Sequence, residues 1–168
     1  MSASRRARDQ RRTNWMILAV VAAVLAAGGA GVWYLTAPAP ELPLVMVYKS
    51  PDCACCRAWM QHLRNHGFRV QVGPEAEWER VRARYGVPSS LHACHTAVVN
   101  DLLIEGHVPA DDIHRALAES DGGNDNRPAG LIVPGMPSGS PGMESAHPQG
   151  YTVLALERSG GTRPFATH

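Results

Sequence analysis

The sequence is poor in aromatic residues, and it has no excess of charge of either sign. Phe, Trp and Tyr make up only 6% of the 168 residues, so the core must consist mainly of Val, Leu, Ile and Ala. The formal net charge is +1. Arginines make residues 1–14 strongly positive, which leaves the rest mildly acidic. A mildly acidic body without a basic stripe or a nucleic-acid motif excludes a nucleic-acid binder.

Several catalytic signatures are also missing. The chain contains no phosphate-binding loop, no general-base dyad and no Ser/His/Asp pattern of a hydrolase. If it is an enzyme, an oxidoreductase is the class to consider. It has no internal repeat, and its length allows one domain with one core once an N-terminal segment is set aside. Its 16 glycines and 13 prolines crowd into the last third, which predicts a loop-rich C-terminal region.

Residues 15–35 form one long apolar run. They carry no charge, and a helix of this length spans roughly the 30 Å of a bilayer core. Trp15, Trp33 and Tyr34 lie at its ends, where interfacial aromatic residues belong. The arginines of residues 1–14 predict that the N-terminus stays in the cytoplasm. We therefore expect an uncleaved inner-membrane anchor with the rest of the chain in the periplasm.

A cleaved signal peptide is the alternative for this segment, and it would leave a soluble periplasmic protein. Small residues at 25–30 offer a cleavage site, but the apolar run continues past them. Cleavage after Ala39 would leave Pro40 at the first mature position, which makes a poor substrate. Residues 36–43 contain three prolines and predict a stiff, extended tether. This tether leads to a single domain over residues 44–168.

Hydrophobic periodicity and turn residues predict the elements of that domain. Residues 50–52 form a turn with helix N-cap chemistry, and Asn100-Asp101 is a plausible hairpin turn. Residues 75–85 have the alternating charges of a surface helix. The predicted elements are strand 44–48, helix 53–66, strand 68–72, helix 75–85, strands 96–100 and 102–108, helix 109–119, strand 130–133 and a terminal hairpin from 151 through a turn at 160–161.

The order β-α-β-α-β-β-α predicts an α/β domain of the thioredoxin-like class. Cysteines at the start of the first helix of the domain strengthen that prediction, because a C-x-x-C motif marks this position in redox domains. Residues 121–127 predict a flexible loop. Residues 134–144 contain three prolines and three glycines, so they form a loop extension rather than regular structure.

Four cysteines carry the chemistry: Cys53, Cys55, Cys56 and Cys94. Cys53 and Cys56 share a face of a first helical turn, whereas Cys55 is expected to point elsewhere. The positive end of the helix favours thiolate there. In a thioredoxin-like fold the loop that carries Cys94 abuts this helix, so all four sulfurs can converge.

Three interpretations of the cysteines remain open. Two structural disulfides fit an oxidising compartment, but a structural disulfide does not require three cysteines within four residues. A thiol–disulfide oxidoreductase would use Cys53 as the attacking thiol and Cys56 as the resolving thiol. The additional thiol of Cys55 between them would interfere with clean exchange. We favour a soft-metal site, because crowded thiolates suit copper(I). Zinc prefers two well-spaced C-x-x-C pairs, which the sequence lacks.

Two histidines and two methionines occur in motifs that make them further candidate ligands of a soft metal. His95 follows Cys94 directly, and His107 lies at the end of a predicted strand. Met136 and Met143 belong to the Gly/Pro-rich segment, where no core pattern accounts for them. A thioether suits copper(I) and remains uncharged. These four residues are therefore candidate ligands beside the cysteines.

The motifs together resemble the CopG-type copper-resistance proteins, a family of small periplasmic metal binders. The resemblance covers roughly residues 44–157, and its blocks occur in the same order. They are YKSPDCACC at 48–56, GVP at 86–88, ACHTA at 93–97, EGHVP at 105–109, PGMP at 134–137 and GSPGME at 139–144.

The resemblance implies a thioredoxin-like fold whose cysteines hold a copper cluster, multinuclear in this family, in a protein of copper tolerance. It implies cluster thiolates at Cys53, Cys55, Cys56 and Cys94. It also implies terminal ligands or outer partners at His95, His107, Met136 and Met143. Copper ions, the membrane and other periplasmic copper-handling proteins are the expected partners. The long N-terminal apolar run departs from a simple secretion signal.

Overall fold

A computed structural model describes residues 3–36, 41–121 and 127–168 and divides the chain into two compact units. The first unit contains helix α1, Ala3–Thr36. By length and composition, Gln10–Gly29 is a candidate membrane span, and those of its side chains that the structure describes are exposed. Half of the predicted tether 36–43, namely residues 37–40, lies outside the described residues.

The second unit, Leu42–His168, is a mixed α/β domain built on one seven-stranded sheet. The strand order is β2-β1-β3-β4-β5-β6-β7. The β1–β2 and β4–β5 pairs are parallel, and the other four are antiparallel. The strands are β1 Leu44–Lys49, β2 Arg69–Val72, β3 His95–Val99, β4 Leu102–Glu105, β5 Gly130–Ile132, β6 Thr152–Leu156 and β7 Thr162–Thr167. The helices are α2 Ala54–Asn65, α3 Trp78–Tyr85 and α4 Ala110–Asp121.

Helices cover both faces of the sheet. The larger core packs Trp59 and Leu63 of α2 and Ile113 of α4 against one face. A smaller cluster on the other face joins Val81 and Tyr85 of α3 to buried β4, β5 and β6 side chains. Because strand residues alternate between faces, β4 serves both clusters, and all four of its residues are buried. This places α2, whose first turn carries the cysteines, firmly against the sheet.

The predicted order of strands and helices is present over Leu44–Asp121. The β3–β4 hairpin turns at Asn100 and Asp101, which both adopt positive φ angles of 44° and 63°. Two such residues give the tight turn whose twist matches that of the strands. The terminal hairpin of β6 and β7 is also present. The predicted loop 121–127 lies mostly outside the described residues, although Asp121 belongs to α4.

Several boundaries differ from the sequence expectation, and the largest shift among the strands is at β4, which ends at Glu105 and not at residue 108. At the start of α2 the reason is local. The N-cap of α2 is Cys53 rather than a residue of the 50–52 turn, because its sulfur accepts the Cys56 N–H at 3.3 Å. A 3-10 turn over Glu75–Glu77 precedes α3. The surface-helix interpretation of α3 is wrong at Arg82, which is buried.

Candidate metal centre

The first turn of α2 gathers three sulfurs. Cys53 and Cys56 form a disulfide. Cys55 was expected to point elsewhere, but its sulfur lies 3.5 Å from that of Cys53. The extended backbone of Cys53, with φ −69° and ψ 100°, explains the difference, because helical geometry does not apply to an N-cap residue.

The fourth sulfur comes from the loop before β3. The Cys94 sulfur lies 3.7 Å from that of Cys56 and 4.0 Å from that of Cys55. Burial, followed by the neighbouring Cys55, raises the pKa of the Cys94 thiol to about 12. The thiol is therefore protonated at neutral pH, and a metal ion would have to displace its proton.

His107 approaches the same sulfur with a defined nitrogen. Its Nδ1 lies 2.7 Å from the Pro141 carbonyl oxygen. A carbonyl only accepts, so Nδ1 carries the proton and Nε2 carries the lone pair. Nε2 lies 3.3 Å from the Cys94 sulfur. Burial lowers the pKa of His107, which keeps the ring neutral and available as a ligand.

His95 lies on the other side of Cys94, with its Nδ1 at 3.3 Å from the Cys94 sulfur. The ring is fully buried and packs against the Trp59 ring at a centroid distance of 4.2 Å. Burial, and then the neighbouring His107, lowers the pKa of His95 to about 3. Both histidines beside Cys94 are thus neutral bases.

The two candidate methionines have different positions. The Met136 sulfur lies 4.0 Å from that of Cys55, and its side chain is half exposed. Met143 is half-buried, and its backbone closes a turn through hydrogen bonds with Ser140 and Gly139. Within the described part of the chain, its sulfur makes no hydrogen-bond contact. The structure therefore brings Met136 to the cysteines and leaves Met143 on the same loop.

These side chains form two overlapping groups with the spacing of metal ligands. Ligand atoms of Cys53, Cys55, Cys56 and Cys94 lie within 4.8 Å of one another, and so do those of Cys94, His95 and His107. Cys94 belongs to both groups. Sulfur and neutral imidazole donors without a carboxylate favour a soft metal over calcium or magnesium.

A polar network behind the Cys94 loop was not found from the sequence. Arg82 Nη2 and Glu105 Oε1 form a buried ion pair at 2.7 Å. Thr96 donates its hydroxyl to the other Glu105 oxygen at 2.6 Å. The spacing of Trp78, Arg82 and Tyr85 was the available signal, because it places the arginine on the apolar face of α3.

Comparison with known proteins places this geometry in a family. Two solved structures, named "Copper resistance protein copG- Form 1" and "Copper resistance protein copG- Form 2", are 40% and 39% identical to the chain. They cover 76% of it and 98% and 99% of their own chains, each with a TM-score of 0.68. The chain belongs to the CopG family. The family model "Protein of unknown function, DUF411" matches residues 91–143. No curated protein matches the chain.

The family model covers only some of the candidate ligands. The residues matched by the family model include Cys94, both histidines and both methionines. The CopG structures cover 76% of the chain. The recognition of a CopG-type chain from its motifs is thereby confirmed.

Proposed function

We propose that this chain is an extracytoplasmic copper-binding protein of copper tolerance that holds copper(I) in a cysteine-thiolate cluster. The observation that carries the proposal is the convergence of four cysteine sulfurs from two separate segments. The names of the CopG structures support copper as the metal. Thiolate and thioether donors support the +1 oxidation state, because soft ligands select copper(I).

The proposed ligand set combines the four cysteines with their neighbours. Met136, adjacent to Cys55, and the neutral nitrogens of His95 and His107 are the terminal ligands or outer partners. Met143 joins the set only if its loop shifts when metal binds. The separations of 3.5–4.0 Å between neighbouring sulfurs suit bridging thiolates between several copper ions, and so support a multinuclear cluster.

Copper binding of this kind requires reduction of the Cys53–Cys56 disulfide. An external dithiol supplies two electrons and two protons, the S–S bond breaks to give two thiols, and the dithiol becomes a disulfide. Copper(I) then displaces the thiol protons, which pass to solvent. The oxidised form lacks two of the four thiolates and is the form with little affinity for copper.

The test is a titration of the full chain in detergent. After anaerobic reduction and removal of the dithiol, copper(I) is added against a competing chelator, and bound copper and free thiols are counted per chain. We expect more than one copper per chain with the thiols masked, and a lower count in Cys55→Ser. Uptake no greater than that of a variant with all four cysteines changed to serine would refute the proposal.

A second candidate function is thiol–disulfide or copper oxidoreduction by Cys53 and Cys56. The disulfide between these two residues at the start of α2 favours it. This function requires turnover, so reduction of insulin or oxidation of copper(I) would proceed catalytically. A Cys56→Ser variant would accumulate a mixed disulfide at Cys53. Stoichiometric copper uptake without turnover would exclude it.

We further propose a thioredoxin-like domain over residues 44–168, tethered by residues 36–43 to an inner-membrane anchor at 15–35. Residues 1–14 are then cytoplasmic and the domain periplasmic, where other copper-handling proteins are the expected partners. The strand and helix order over Leu44–Asp121 and the candidate span Gln10–Gly29 support this arrangement. Recovery in alkali-washed membranes, with the domain digested by protease added to spheroplasts, is expected. Recovery of a shortened soluble chain would show signal cleavage instead.

A further inference from the structure

A buried ion pair is bonded to the segment that carries Cys94. Arg82 and Glu105 lie 2.7 Å apart, and they are 6% and 0% exposed. A buried pair of this kind adds little to stability by itself, because the cost of removing both charges from water offsets their attraction. Its other contacts are therefore the better guide to its role.

Both members of the pair hold the backbone of Ala93, the residue immediately before Cys94. Ala93 N–H donates to Glu105 Oε1 at 2.6 Å, and Arg82 Nη2 donates to the Ala93 carbonyl at 2.6 Å. Hydrogen bonds to charged groups are the strongest that a backbone makes. With its N–H and its C=O both fixed, Ala93 sets the direction in which the chain enters Cys94.

The same carboxylate also holds the chain after Cys94. Thr96 donates its hydroxyl to Glu105 Oε2 at 2.6 Å and accepts from Trp78 Nε1 at 2.7 Å. Glu105 therefore binds residues on both sides of the Cys94-His95 pair. Its own backbone ends β4, two residues before His107. One side chain thus joins the segments that supply Cys94, His95 and His107.

We propose that Glu105, held by Arg82, is the positioning residue that fixes the Cys94 thiol between Cys56 and His107. Cys94 is the one cysteine that α2 and its N-cap do not supply, so the convergence of the sulfurs depends on where its loop is anchored. The role in copper binding rests on the proposed function, whereas the placement of the thiol does not.

The first test is Glu105→Gln, which keeps the side-chain shape and removes the charge that Arg82 and Ala93 use. In the copper-free chain with its disulfide intact, alkylation of Cys94 by iodoacetamide is compared with that of Cys55 by mass spectrometry. Besides burial and Cys55, the Glu105 charge itself raises the pKa of the Cys94 thiol, so each rate is corrected for the thiolate fraction taken from its own pH profile. We expect the corrected ratio to rise about tenfold as the Cys94 loop opens more often. In the reduced chain, copper(I) affinity is expected to fall about tenfold.

Arg80→Gln is the matched control. Arg80 lies on the same helix and pairs with Glu77 at the surface, so its loss should change neither readout. Near-UV circular dichroism shows whether each variant keeps its packing. A folded Glu105→Gln chain with the wild-type alkylation ratio and copper affinity would overturn the proposal, whatever its melting temperature.

If Glu105→Gln does not fold, Thr96 decides the matter. Thr96→Val removes the hydroxyl that binds Glu105, and Thr96→Ser keeps it. A raised Cys94 alkylation ratio in the valine variant alone supports the proposal, and equal ratios in the two variants overturn it. If the wild-type chain takes up no copper, the proposed function fails. The alkylation ratio still tests the positioning role of Glu105, because it is measured without copper.

Discussion

At the scale of single residues, one hydrogen bond determines what His107 can do. The bond from Nδ1 to the Pro141 carbonyl leaves Nε2 with a lone pair directed at Cys94. Histidines that bind metals are commonly oriented by such a bond to the second nitrogen. The residue pattern E-G-H-V-P marks His107, but the carbonyl that orients it lies 34 residues away. The tautomer therefore had to come from the structure.

The two loop methionines provide a prediction at this scale. Met136→Leu should lower copper(I) affinity about tenfold, or about 1.4 kcal/mol, because it removes the thioether next to Cys55 while keeping most of the side-chain volume. Met143→Leu makes the same chemical change at a sulfur that, unlike that of Met136, makes no hydrogen-bond contact with a cysteine within the described residues. Chelator competition on both reduced variants checks this. Equal losses in the two would mean that the loop rearranges around the metal.

At the scale of elements, the loop of residues 134–144 packs tightly on the first turns of α2. A Cβ at Gly142 would lie 2.7 Å from the Trp59 backbone nitrogen and 2.9 Å from the Cys55 carbonyl oxygen. Gly142 also has a φ of 84°, which other residues rarely adopt. This contact brings the loop with Met136 and Pro141 against the cysteines.

Gly142→Ala should therefore separate the loop from α2. Gly135→Ala is the control, since Gly135 has a similar φ of 71° and no atom within 4 Å of its added Cβ. Both changes cost about 1–2 kcal/mol for the backbone conformation, and the clash adds about 1–3 kcal/mol at Gly142 alone. Urea denaturation should show this difference, and copper affinity should fall further for Gly142→Ala. Identical behaviour would contradict the packing role.

The elements themselves were largely predictable, and the contacts between them were not. Alternation and turn residues gave the strands around Asn100-Asp101 and the hairpin at the C-terminus, because these are local patterns. The position of Cys55 could not be predicted, since it depends on the extended backbone at Cys53. The burial of Arg82 also depends on contacts between elements. The charge of its side chain predicts an exposed position, whereas its spacing places it on the apolar face of α3.

At the scale of the whole domain, several histidines are held as neutral bases. Burial is the largest cause of the lowered pKa at His62, His95 and His107. The ordinary pKa of a histidine is 6.5. Below that pH, these histidines bind protons in the unfolded chain but stay neutral in the folded chain. The stability that these groups contribute is therefore present above about pH 6.5 and is lost as the pH falls.

His62 allows this dependence to be tested away from the cysteines. Its Nε2 accepts the Ala110 N–H at 3.1 Å and so satisfies a donor in the first turn of α4. His62→Ala should cost about 1 kcal/mol near pH 8, and less near pH 5, where the wild type must shed a proton to keep the bond. Denaturation of the copper-free chain at both pH values checks this. A cost that grows toward low pH would contradict the assignment.

The central claim is that the sulfurs of the domain hold copper together. X-ray absorption at the copper edge, on the reduced and copper(I)-loaded full chain, tests it most directly. The account predicts copper(I) with a first shell dominated by sulfur and a short copper–copper distance that weakens in Cys55→Ser. A first shell of nitrogen and oxygen alone, unchanged in that variant, would contradict it.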